Sequence, residues 1–231
     1  MAAENSITSE TLEALRRFDT CMIANAIETF DVRLRNAGYT DSSIHCMFKD
    51  RTPMVGYAAT ARLRASEPPI VGSGFREPSE LWSSILQIPA PRVLVLEDMD
   101  RPSGCGAFVG AMHAAILKAL HCIGYVTNGA VRELPTIREM DFQLFAAGTT
   151  VSHAYSHVFE IGAIVRVGGL EVRPGELLHG GRDGVLAVPA TIASRIPAIA
   201  AEMQEAERRV IDFCRSPDFS VGKLGEVMKA V

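Results

Sequence analysis

The chain has 231 residues, enough for one domain with a substantial core. Its 23 Lys and Arg against 27 Asp and Glu give a net charge of -4, which disfavours nucleic acid as a partner. Apolar residues make up 48% of the chain, yet no apolar run approaches the roughly 18 to 20 residues that span a bilayer, so no membrane partner is expected.

Met1 to Asn5 has neither a basic stretch nor an apolar one, which argues against a secretory leader and for a cytoplasmic protein. From Thr8 to Phe30 apolar residues recur at helical spacing, with Ser9 as a cap and Asp19-Thr20 as a break between two short helices. Residues 31 to 52 have no clear period and read as a long surface connection. Val55, Tyr57, Ala59 and Ala61 alternate as in a strand over Met54 to Ala65, and Pro68, Pro69 and Gly72 then mark a loop. Pro78-Ser79-Glu80 opens a helix through Leu86, and Val93 to Leu96 reads as a buried strand. A helix is expected over Ala107 to Ile123, with Val109, Met112, Ile116, Leu120 and Ile123 on its core face and Gly124 as its terminator. Tyr125 to Asn128 is then a strand, Gly129 to Glu133 turns into a helix up to Met140, and Phe142 to Ala146 is a further strand. Phe159 to Pro189, punctuated by glycines, reads as a β-rich meander. Ala190 to Cys214 is expected to be a long helix interrupted near Pro197, with a shorter one over Ser220 to Val231. The whole reads as a single domain over 1–231, with a core at about 12–189 and C-terminal helices over 190–231.

The five cysteines are scattered and form no Cys-x-x-Cys pair, so they read as reduced thiols, each most simply a small buried hydrophobe. Gly104, Gly106 and Gly110 follow a strand and open a helix, but their spacing departs from the dinucleotide fingerprint, and Thr127-Asn128 stands where a ribose-binding acid belongs. What remains is a glycine-bearing turn at a helix N-terminus, suited to a carboxylate or phosphate. Arg132-Glu133 lies just beyond a strand's carboxyl end: an Arg can clamp a carboxylate, and a Glu can give oxygens to a hard divalent cation. The alternative is a solvated charge pair. His153 and His157 sit four apart; in a helix they could share a metal, whereas two strand repeats would hold them about 13 Å apart, and a structural role is the simpler reading. His113 and His179 are read as packing or surface residues. No serine-hydrolase elbow and no Walker loop occurs.

The stretch Gly110-Ala111-Met112-His113, the block from Gly124 to Glu133, Phe145-Ala146, and Pro174-Gly175-Glu176-Leu177 with Asp183-Gly184-Val185 resemble the RraA-like family. This family includes the class II 4-hydroxy-4-methyl-2-oxoglutarate aldolases, and the similarity runs from about Leu12 to Pro189. The resemblance implies an α/β, swivelling β/β/α three-layer domain with helical N- and C-terminal arms. It also implies a homotrimer, or a hexamer of trimers, with the site at a subunit interface. The aldolase pattern, an acid, twenty intervening residues, then Arg and Asp or Glu, falls on Ala111, Arg132 and Glu133. By that resemblance Arg132 and the backbone of Gly110 to His113, through the amides of Met112 and His113, hold a 2-oxo acid carboxylate. Glu133 ligates magnesium or manganese, which chelates the substrate and stabilises the enolate left when a C–C bond breaks. Ala111 departs from the pattern, so either His113, His153 or His157 carries the proton work, or the chain keeps an anion pocket without the reaction. The latter is the situation of the RraA branch, which inhibits ribonuclease E. No glycine-rich adenosylmethionine loop supports the methyltransferase name that some relatives carry.

Overall fold

In the computed structural model, residues 7–69 and 76–229 are described. The chain runs through α1 (Ser9–Leu15), α2 (Thr20–Glu28), β1 (His45–Cys46), β2 (Met54–Arg64), α3 (Pro78–Gln87), β3 (Arg92–Asp98), α4 (Ala111–Ala119) and β4 (Cys122–Thr127). It continues through β5 (Ala130–Val131), α5 (Leu134–Arg138), β6 (Gln143–Ala146), β7 (Gly148–Thr149), β8 (His157–Ile161), β9 (Val165–Val167) and β10 (Leu170–Val172). β11 (Leu177–Gly181), β12 (Gly184–Val188), α6 (Ile196–Arg215) and α7 (Val221–Lys229) complete it. Residues 70–75 of the expected loop after β2, and the extreme termini, lie outside the described residues.

Alternation along β3 explains the layering. Leu94 and Leu96 face one side of the central sheet, where they pack with Leu81 and Ile85 of α3, Leu117 of α4 and Ile137 of α5. Val93 and Val95 face the other side, against Val165, Val167, Leu170 and Val172 of the β9–β10 hairpin. Helices, central sheet and a second β layer follow from that period of two, because a strand buried on both faces carries apolar residues at every position. The sheet order is β1-β6-β4-β3-β2-β11-β12, and β8 also pairs with β2. The pairs β2–β3, β3–β4 and β4–β6 are parallel, whereas β1, β8, β11 and β12 join antiparallel. A further parallel pair, β5–β7, carries the chain into the site. The helical arms form their own core: Leu12 and Leu15 of α1, Ile23 and Ile27 of α2, and Ile196 and Ala200 of α6. No described helix is long and apolar enough to cross a membrane.

Several expectations need correction. Thr8, not Ser9, caps α1 by accepting from the Thr11 amide. The helix expected over Ala107 to Ile123 is only Ala111–Ala119, and its inward face is Ala114 and Leu117, while Met112 is 67% exposed. Ile123 and Gly124 belong to β4; the helix is closed by His121 at φ 57, the left-handed position that glycine usually fills. Pro197 does not interrupt a helix but sits in the first turn of α6, where its missing N–H costs nothing. Of the cysteines only Cys46 and Cys122 are buried; Cys21, Cys105 and Cys214 are exposed, and all five are free thiols.

His179 on β11 is fully buried and ties the arms to the sheet. Its Nε2–H donates to the Leu15 carbonyl at 3.2 Å, so Nδ1 accepts from the Thr20 hydroxyl at 3.1 Å. Burial lowers its pKa from 6.5 to about 4, against a smaller upward pull from the Leu15 and Phe18 backbone and from Asp19. The unfolded chain takes up this proton near pH 6.5, and the fold resists it until about pH 4. Stability is therefore full above 6.5 and falls as pH drops through that window, by up to roughly 3 kcal/mol. Urea midpoints measured between pH 7 and 5 will fall in the wild type. In His179→Gln, whatever its own stability, that pH slope will be flatter.

Candidate active site

The site forms where the C-terminal ends of β3 and β4 meet the start of α4. Asp98 at the end of β3 accepts the Gly104 amide at 2.7 Å, and the Asn128 side chain donates to and accepts from the Asp98 backbone at 2.9 and 2.7 Å. Asp100 accepts the Ala65 and Ser66 amides at 2.7 and 2.8 Å, which fastens the end of β2 to the same turn. Residues 99–110 are thus pinned at several points before α4 begins.

The two nearest glycines are there for space. A Cβ on Gly106 would lie 2.6 Å from the His153 carbonyl oxygen and 2.9 Å from the Ala154 Cβ, so this glycine lets the histidine-bearing loop close onto the turn. A Cβ on Gly110 would lie 2.6 Å from Glu133 Oε2 and 3.0 Å from Arg132 Nε. Gly110 is the N-cap of α4 and has no side chain with which to cap it; the cap comes instead from Glu133, whose Oε2 accepts the Ala111 amide at 2.6 Å. A carboxylate at a helix N-terminus meets an orphan N–H and the positive end of the dipole. The amides of Met112 and His113 also precede the first intrahelical bond, which runs from Ala114 to Gly110, and they remain directed at the pocket end of the helix.

Glu133 adopts φ 60 and ψ 36, left-handed backbone that costs a non-glycine residue of order 1 kcal/mol or more. The chain accepts this strain at the residue that turns from β5 into α5 and aims a carboxylate at α4. Arg132 beside it is half-buried. Its amide donates to the Val109 carbonyl at 3.2 Å, its Nη1 lies 3.5 Å from the Val151 carbonyl, and its Nη2 lies 3.6 Å from Glu133 Oε1. At those lengths most of the guanidinium's donor capacity is left for a ligand.

A cavity of about 470 Å³ opens here, and its lining includes Gly110, Met112, His113, Arg132, Glu133, His153 and His157. Those seven residues singled out from the sequence are thus brought together, whereas Ala111 is not among the lining residues and contributes its amide to Glu133, and His179 lies in the core of the helical arms. The histidines are set neither as in one helix nor as in one strand, because Ala154 between them is left-handed at φ 47 and only His157 belongs to β8. Each ring is oriented by its own Nδ1–H: His153 donates to the Ala154 carbonyl and His157 to the Tyr155 carbonyl, both at 2.7 Å. That fixes the tautomer with the lone pair on Nε2. His113 packs against Phe108 with ring centroids 4.8 Å apart, and its pKa is lowered by burial first, then by Arg132 and His153. No group of three His, Cys, Asp or Glu among the described residues could hold a metal ion, so the two histidines do not build a shared metal cage.

The apolar part of the lining is not legible in the sequence. Leu81 and Trp82 of α3, together with Phe108 and Val158, line the same cavity. Ser156 lies there too, its Oγ buried without a hydrogen-bond partner among the described residues. Helical spacing in α3 marks an apolar face but not what that face meets.

This geometry, a helix N-terminus capped by Glu133 beside Arg132 on a β/β/α frame, coincides with a family match over residues 20–187. The chain belongs to the RraA-like family, described as Aldolase/RraA. It is 29% identical over 109 residues to a Halalkalibacterium halodurans protein named "Putative 4-hydroxy-4-methyl-2-oxoglutarate aldolase". That alignment takes in 46% of this chain and spans about half, 52%, of the relative. Among solved structures, an uncharacterized protein from Pseudomonas syringae pv. tomato superposes with a TM-score of 0.75 at 19% identity, covering 100% of this chain and 99% of the other. Streptomyces coelicolor RraAS2, described as an unusual member of the RNase ES inhibitor RraA family, superposes at 0.67 with 23% identity, covering 87% and 95%. These likenesses establish the fold.

Proposed function

We propose that the chain is a divalent-metal-dependent lyase, of aldolase or decarboxylase type, that cleaves a C–C bond in a small 2-oxo acid. The observation that carries this reading is the Arg132-Glu133 pair in the cavity lining, with Glu133 in left-handed backbone and its carboxylate on the first amide of α4. Arg132 and the Met112 and His113 amides would hold the substrate carboxylate, charge-assisted bonds among the stronger that a site can offer. Glu133 accepts the Ala111 amide with one oxygen, and its second lies 3.6 Å from Arg132 Nη2. One carboxylate plus retained waters suits magnesium or manganese, hard cations that dehydrate reluctantly, so the donor set fits and Glu133 would be its protein ligand. The chemistry that such a cation supplies when bound is Lewis-acid stabilisation of the negative charge released as the C–C bond breaks.

With alanine at position 111, proton transfer falls to the imidazoles. His153 and His157 are pre-oriented by their Nδ1–H bonds, and His113 is kept neutral by burial and by Arg132. A base whose pKa lies below 6.5 is lost only as pH falls through that lowered value. The acid limb of kcat/KM will therefore lie below pH 6.5, and His113→Asn will remove it while reducing the rate by about 10²- to 10⁴-fold. Calorimetric titration with pyruvate tests the pocket itself. Binding that strengthens with magnesium and weakens with chelator is the expected result, and no heat under either condition would contradict it.

A second reading has its own observation. Because the Glu133 carboxylate already satisfies the Ala111 amide and the acid of the aldolase pattern is missing, the pocket can stand as a self-capped structural element in a non-catalytic, RraA-like regulator. Association with ribonuclease E, unaffected by Arg132→Ala, would favour that reading. Under either one, assembly as a trimer or hexamer would cover Met112, Val151 and Tyr155, apolar side chains exposed on pocket segments.

A further inference from the structure

The cavity is larger than a minimal 2-oxo acid requires. Its 470 Å³ would hold more than a dozen waters at about 30 Å³ each, of which a three-carbon acid displaces only a few. Its lining is also divided in chemistry. Arg132, Glu133 and the Gly110 turn are its polar part, whereas Leu81 and Trp82 of α3, with Val158 and with Phe108 packed against His113, are apolar. Among the described lining residues the cation next to α3, Arg76, is paired with Glu80 at 3.3 Å on the first turn of that helix. A ligand that extends beyond the polar part thus meets a surface that rewards hydrocarbon.

Resting on the 2-oxo acid reading, we infer that this site selects substrates with an extended apolar tail, alkyl or aromatic, seated against Trp82, Leu81 and Phe108. A terminal second carboxylate is disfavoured, because it would meet aromatic and aliphatic surface and a cation already engaged by Glu80. Trp82 is the specificity-determining residue: it is half-buried, it projects from α3 into the cavity wall, and its ring offers the largest apolar area there.

Trp82 is also the only tryptophan of the chain, so the wall reports on itself. With magnesium present, pyruvate, 2-oxooctanoate and 2-oxoadipate are titrated by calorimetry into wild type, Trp82→Phe and Trp82→Ala, and Trp82 emission is followed in the wild type. The expected result is that 2-oxooctanoate binds at least tenfold more tightly than pyruvate, since each two buried methylenes are worth roughly tenfold. It should shift Trp82 emission to the blue where pyruvate does not. Trp82→Phe keeps most of the gain, and in Trp82→Ala 2-oxooctanoate binds no more tightly than pyruvate. Equal affinity for pyruvate and 2-oxooctanoate, or tighter binding of 2-oxoadipate, overturns the inference while leaving the carboxylate reading intact. If none of the acids binds, the carboxylate reading falls and the inference falls with it.

Discussion

Arg132→Ala will weaken binding of any 2-oxo acid by roughly 10²- to 10⁴-fold while leaving the fold in place. The magnitude follows from charge-assisted hydrogen bonds, each worth about 1.5–3 kcal/mol, of which a bidentate clamp supplies two. The small structural cost follows from the geometry. Arg132 is only half-buried, its ion pair with Glu133 spans 3.6 Å, and its contact with Val151 is at the edge of hydrogen-bonding distance. Partly exposed pairs of this kind contribute less than about 1 kcal/mol. Backbone bonds that fix the segment, from the Arg132 amide to Val109 and from the Thr150 amide to Val131, do not involve the side chain. Thermal midpoints within a few degrees of wild type, with pyruvate affinity lost, are the expected pair of measurements. Arg132→Lys will recover little, because a point charge cannot reproduce the two parallel donors of a guanidinium.

The second large effect separates the two tasks of Glu133. Its carboxylate caps α4 and is also the only acid among the described residues that line the cavity. Glu133→Gln keeps an amide oxygen to accept the Ala111 N–H but removes the charge. It will change stability by less than about 1 kcal/mol, the usual value of a charge near a helix N-terminus. It will lower metal-dependent turnover by at least about 100-fold, because the Lewis-acid contribution is worth several kcal/mol. Glu133→Ala removes the cap as well and adds a loss of about 0.5–2 kcal/mol in stability. Chemical denaturation of the three proteins beside their turnover rates distinguishes a cap from a cap that is also a ligand.

Where one element suffices to define a feature, the sequence reveals it. The alternation in Val93 to Leu96 carries the sandwiching of β3 between helices and the β9–β10 hairpin, and Pro78 marks the first turn of α3. The α4 region misleads because Gly124 resembles a terminator, whereas His121 takes the left-handed cap and the helix ends five residues before that glycine. The stripe drawn through Val109 and Ile123 therefore crosses two element boundaries and assigns an exposed Met112 to the core. The polar half of the site is legible because Gly110, Arg132, Glu133, His153 and His157 carry recognisable chemistry. The apolar half is not: Leu81 and Trp82 lie more than twenty residues from the nearest of these, on a helix whose periodicity reports a buried face without its partner. Nor does the sequence disclose that the Glu133 carboxylate folds back to cap α4, which depends on a left-handed φ at a residue that is not glycine.

The central claim, that this pocket breaks a C–C bond of a 2-oxo acid through Arg132, Glu133 and a divalent cation, is tested most directly by one assay. Pyruvate release from the alkyl-tailed 4-hydroxy-2-oxononanoate, beside 4-hydroxy-4-methyl-2-oxoglutarate and oxaloacetate, is followed with magnesium, with manganese and with chelator, for wild type and Glu133→Gln side by side. Metal-dependent release by the wild type, abolished by chelator and reduced at least about 100-fold in Glu133→Gln, is the expected result. Release that survives chelator, or that is equal in the two proteins, would contradict it.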